Sequence, residues 1–72
     1  MSKLPLPSWR DVAKALAKVG FKVARQKGSH IILVKAEYIV PIPKHGEIKR
    51  GLLQEIIAEA GLTREEFLKL LK

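Results

Sequence analysis

The chain has 72 residues, 47% of them apolar and none cysteine, which fits one small domain stabilised without disulfides or a thiolate-bound zinc. A chain of this size buries only roughly 60% of the surface exposed by its unfolded form, so a small core must carry the fold. Fourteen Lys and Arg against seven Asp and Glu give a formal charge of +7, which suits a polyanion or an acidic protein as partner, with a merely solubilising surface as the simpler reading.

The N-terminal stretch MSKLPLPSWR holds two prolines and a tryptophan where a secretory signal needs an apolar run of about 7–15 residues. The longest apolar run, Ile31 to Val34, is far short of the ~20 residues that cross a bilayer. The expectation is a soluble, cytoplasmic chain with no membrane contact. Ser8 followed three residues later by Asp11 predicts a helix N-cap close to a capping box. From there Trp9, Val12, Ala13, Leu16 and Ala17 form one apolar stripe that Gly20 ends.

At Phe21 the period changes to two. Phe21 and Val23 alternate with Lys22 and Ala24, which predicts a half-buried strand broken at Lys27-Gly28. His30 to Lys35 is apolar at both parities and predicts a central strand. A short turn at Ala36-Glu37 leads to a third strand, Tyr38 to Ile42, whose Pro41 and the following Pro43 cannot donate to a ladder and so fit a sheet edge. After Pro43-Lys44-His45-Gly46, the residues Ile48, Leu52, Leu53, Ile56, Ile57 and Ala60 mark a second helix stopped by Gly61. Thr63 with Glu66 is a capping box for a short last helix carrying Phe67, Leu70 and Leu71.

The order α-β-β-β-α-α, without linker or repeat, predicts an α+β domain over residues 1–72: a three-stranded antiparallel sheet with helices on one face. A two-residue turn at Lys27-Gly28 would pair Val23 with Ile32 and Phe21 with Val34 on the core side, leaving Ile31 and Leu33 on the open face as candidate partner contacts. A bulged loop would instead shift this register by one. Such an apolar patch calls for a partner protein or a second copy.

Chemistry has few places to reside. His30 and His45 are the only histidines, and with no matching carboxylate or cysteine spacing they lack the ligand count of a metal site. No phosphate-binding loop, nucleotide-binding glycine fingerprint or nucleophile elbow is present, so no cofactor is expected. Read alone, His30 fits either a packed strand residue or a proton shuttle. Imidazole titrates near neutrality and can take or give a proton beside a phosphodiester that lysines and backbone N–H groups hold. RNA suits such a site because its 2′-hydroxyl is an internal nucleophile beside the scissile phosphate. Ser29 reads first as a turn residue and only secondarily as a nucleophile.

Gly20-Phe21, Lys27-Gly28-Ser29-His30, Val40-Pro41-Ile42-Pro43, His45-Gly46, Ile48 with Lys49 to Gly51, and Ala60-Gly61-Leu62-Thr63 followed by Glu66-Phe67 occur in one order and spacing. In these the chain resembles the HicA-type, or YcfA-like, toxins from the first helix to the C-terminus. The resemblance implies a fold like that of double-stranded-RNA-binding domains, the activity of an mRNA interferase, and a HicB-type antitoxin as partner. It assigns catalysis to His30, with Gly28 and Ser29 in the turn that presents it. The sequence departs from many relatives at Ile31, where they carry a second histidine, at Arg50-Gly51-Leu52-Leu53 in place of Lys-Gly-Thr-Leu, and in a shorter loop between His45 and Ile48. Ile31 alternates with His30 along the strand and should face away from it.

The reading is therefore a metal-independent endoribonuclease toxin that cleaves mRNA with His30 as general acid or base, as a monomer or weak homodimer when unpartnered. Water, Lys27 or His45 would take the second proton-transfer role. Lys27, Lys44, His45, Lys49 and Arg50 are the candidate RNA contacts, grouped at the turn and at the start of the second helix. The rival readings are a non-catalytic RNA-binding module of the same fold and a domain that binds an acidic protein.

Overall fold

Two capping boxes fix where the outer helices begin. In the computed structural model, which describes residues 6–71, helix α1 runs Trp9–Ala17. The Ser8 hydroxyl accepts from the Asp11 N–H at 3.2 Å, and the Asp11 carboxylate accepts from the Ser8 N–H at 3.0 Å. These bonds, the backbone one foremost, hold the Asp11 carboxyl below its ordinary range, with a smaller contribution from Lys14. Helix α3, Arg64–Leu70, opens in the same way: Thr63 N–H donates to Glu66 at 2.8 Å, and Glu66 N–H to the Thr63 hydroxyl at 3.1 Å. A cap of this kind is worth about 1 kcal/mol. The expectation for the chain before Leu6 lies outside the described residues.

Between the helices lie β1 (Lys22–Lys27), β2 (His30–Lys35) and β3 (Tyr38–Pro43), an antiparallel sheet in the order β1-β2-β3. The central strand and the proline-bearing edge strand stand where the sequence puts them. The hairpin turns are Gly28-Ser29 and Ala36-Glu37, each with a positive φ at its first residue, +60° at Gly28 and +53° at Ala36. Glycine adopts that conformation freely, whereas Ala36 bears the strain of a non-glycine residue there.

The register corrects one expectation. The turn is Gly28-Ser29 rather than Lys27-Gly28, so Lys27 faces His30, Gln26 faces Ile31 and Arg25 faces Ile32. A bulge at Ala24 then sets Val23 opposite Leu33. Ile31 and Leu33, expected on the open face, are therefore core residues, 8% and 1% exposed. Their cross-strand neighbours Ile42 and Val40 are buried with them. The open face instead carries His30, Ile32 and Val34 opposite Pro43, Pro41 and Ile39, with Ile39 62% exposed. Ile31 does face away from His30, but into the core. Strand β1 is exposed throughout rather than half-buried; only Phe21, just before it, is buried.

Helix α2 spans Arg50–Glu59 and packs against β3. Its N-cap is Lys49, which makes no side-chain cap bond. Ile48, read as the start of the helical stripe, precedes the helix. It is fully buried, and its N–H donates to the Pro7 carbonyl at 2.7 Å. In α1 the buried stripe is Val12, Ala15 and Leu16; Ala17 is exposed and Trp9 and Ala13 are partly covered. The largest side chains sealed in the core, Phe67, Leu16, Leu33, Ile42, Ile48 and Ile56, come from all three helices, strands β2 and β3 and the loop before α2. This single cluster leaves the other sheet face free to carry function.

Candidate functional site

His30 is the first residue of β2, on the open face and exposed, so its ring takes no part in the core. Its placement follows from the hairpin. The Gly28-Ser29 turn begins with a left-handed residue, which brings Lys27 opposite His30 across the strand pair. A methyl group on Gly28 would touch nothing within 4 Å, so backbone conformation alone favours glycine there.

His45 comes from the loop that joins β3 to α2, and that loop is tied to the hairpin. The Lys44 N–H donates to the Ser29 carbonyl at 2.8 Å, directly before His30. The His45 N–H donates to the Pro43 carbonyl at 2.8 Å, and the His45 carbonyl accepts from the Trp9 N–H at 3.1 Å. Backbone bonds thus anchor both histidine-bearing segments to one another and to the start of α1. Trp9 also gathers cations: the Lys44 ammonium lies 5.2 Å from its ring centroid and the Arg10 guanidinium 5.3 Å. Both distances are within cation–π range.

Between these segments and α2 lies an open groove of about 330 Å³, lined by His30, Pro41, Pro43, His45, Leu52, Glu55 and Glu59. The two histidines thus line one concavity. Of the other expected site residues, Lys27 stands opposite His30 in the strand register, Lys44 is held over Trp9, and Lys49 and Arg50 are exposed at the start of α2. None of these four lines the groove itself. Ser29 contributes its carbonyl to the Lys44 bond.

Sequence reasoning missed the α2 wall. Leu52, Glu55 and Glu59 stand at i, i+3 and i+7, a spacing that marks one helix face, but only the packing of α2 along β3 shows what that face meets. Among the described residues no group of three or more His, Cys, Asp or Glu side chains is placed to hold a metal ion. No described helix is long and apolar enough to cross a membrane.

The fold and groove define a class: a small basic α+β domain whose sheet leaves one face open and which brings two histidines, one at the start of β2 and one in the loop after β3, to a shared groove. A family model of the HicA toxin of bacterial toxin-antitoxin systems matches residues 9–62, and the chain belongs to that family. Membership makes it the toxin of a toxin–antitoxin pair, with a cognate antitoxin as partner. No curated protein matches the chain.

Proposed function

We propose that this toxin is a metal-independent endoribonuclease that cleaves mRNA, with His30 transferring a proton at the scissile phosphate and the Gly28-Ser29 turn presenting it. The observation that carries this reading is the exposed pair His30 and His45 on one groove. The 2′-hydroxyl supplies the nucleophile, so the protein need only move protons and hold charge. Lys27, Lys44, Lys49 and Arg50 hold the phosphates on either side of the groove. The Glu55 and Glu59 carboxylates repel phosphate from the α2 wall, so the scissile group sits on the strand side.

The whole chain acts as one toxin domain in the cytoplasm, where its substrate is. A HicB-type antitoxin neutralises it by covering the open sheet face beside the groove. The contact residues for that partner are Ile32, Val34 and Ile39, in place of the buried Ile31 and Leu33.

End-group analysis tests the chemistry. A structureless RNA incubated with the protein in EDTA should yield 2′,3′-cyclic phosphate and 5′-hydroxyl ends. Either 5′-phosphate ends or activity abolished by the chelator would overturn the mechanism. Binding without any cleavage would favour a non-catalytic RNA-binding module.

A further inference from the structure

We infer that His45 is the second proton-transfer group of the reaction, the partner that a single histidine at His30 requires. The inference rests on the ribonuclease reading above and extends it. In-line attack needs two proton movements: the 2′-hydroxyl loses its proton as its oxygen bonds to phosphorus, and the departing 5′-oxygen gains one as its bond to phosphorus breaks. One imidazole accepts the first proton and the other donates the second. The products are a 2′,3′-cyclic phosphate and a 5′-hydroxyl, and exchange with solvent resets both rings.

Three observations select His45 rather than Lys27 for this role. It lines the same groove as His30, whereas Lys27 does not. Its position is fixed through its backbone, by the bond from its N–H to Pro43 and the bond from Trp9 N–H to its carbonyl, while the adjoining Lys44 is tied to Ser29. Its side chain is exposed and carries none of those bonds, so the fold makes no demand on the imidazole. A loop held this firmly, ending in a ring with no structural task, is suited to present that ring to a ligand. The other titratable groups lining the groove, Glu55 and Glu59, stand on the α2 wall, whose negative charge drives the scissile phosphate away from them.

The test compares the full-length protein with His45→Ala and His45→Gln, which keep the three backbone bonds. Substrates are ordinary RNA and RNA whose scissile 5′-oxygen is replaced by sulfur, a leaving group that departs without a proton. On ordinary RNA both variants should lose roughly 10²–10⁴-fold in kcat, with KM within about threefold of wild type. On the sulfur substrate one of His30→Ala and His45→Ala, the one lacking the acid, should regain most of its rate while the other stays slow. A wild-type kcat in His45→Ala would overturn this inference alone, as would a loss confined to KM or sulfur rescue of neither variant. Absence of wild-type turnover would overturn the ribonuclease reading and this inference with it.

Discussion

Adjacent residues of β2 offer the sharpest test of the sheet register, because Ile31 and Ile32 differ only in the face they point to. Threonine keeps the β-branch, and with it the strand preference, at either site. At Ile31, 8% exposed and opposite Ile42, Ile31→Thr removes two apolar carbons at about 0.8 kcal/mol each and buries a hydroxyl without a partner, for a total near 3 kcal/mol. At Ile32, partly covered on the open face opposite Pro41, the new hydroxyl reaches water and the cost is about 1 kcal/mol. Urea unfolding followed by circular dichroism separates the two. With a slope near 1 kcal/mol/M for so small a domain, the midpoints should fall by roughly 3 M and 1 M, and the first variant is close to unfolded. Equal shifts, or a larger one at Ile32, would mean that the opposite parity faces the helices.

Gly61 has φ +74°, and a methyl group there would come within 2.8 Å of the Tyr38 ring. Gly61→Ala should therefore cost more than the ~1–2 kcal/mol of the left-handed backbone alone. The excess should vanish in a Tyr38→Ala background, and equal costs in both backgrounds would dismiss the steric contact. Asp11 has a folded pKa held below its ordinary value of 3.8 by the Ser8 bonds. Its contribution to stability is thus complete above that value and lost as the pH falls through the lower, folded one. Between pH 5 and pH 3, by order of the carboxylate range, the unfolding midpoint should fall less in Asp11→Asn than in wild type; an identical fall would refute the linkage. Lys27→Ala should weaken RNA binding and reduce the slope of log affinity against log salt by about 0.7, and an unchanged slope would remove Lys27 from the phosphate contacts.

The parts of the fold legible in the sequence are those set by short-range chemistry. Ser8 with Asp11 and Thr63 with Glu66 announce their helices because each box satisfies backbone donors with side chains three residues apart. The apolar run from His30 to Lys35 and the prolines of β3 define a central and an edge strand by what each can bury or donate. The register was not legible in the same way. A positive φ at the first turn residue favours Gly28 there, but the bulge at Ala24 depends on how β1 lies against β2, and it leaves no local signature.

The site divides along the same line. His30 and His45 stand out by residue type, yet their sharing of a groove depends on the Lys44 to Ser29 bond between segments far apart in the sequence. Glu55 and Glu59 look like solvated helix charges until α2 is laid along β3. Trp9, which the sequence suggests only as an apolar stripe residue, also holds Lys44 and Arg10 over its ring.

The most direct test of the central claim compares wild type with His30→Ala for cleavage of a structureless RNA in EDTA, with RNA binding and circular dichroism measured for both. His30 is exposed at the mouth of β2, so the variant should fold and bind RNA as wild type does while turnover falls by at least ~10²-fold. Turnover retained in the folded variant would contradict the account.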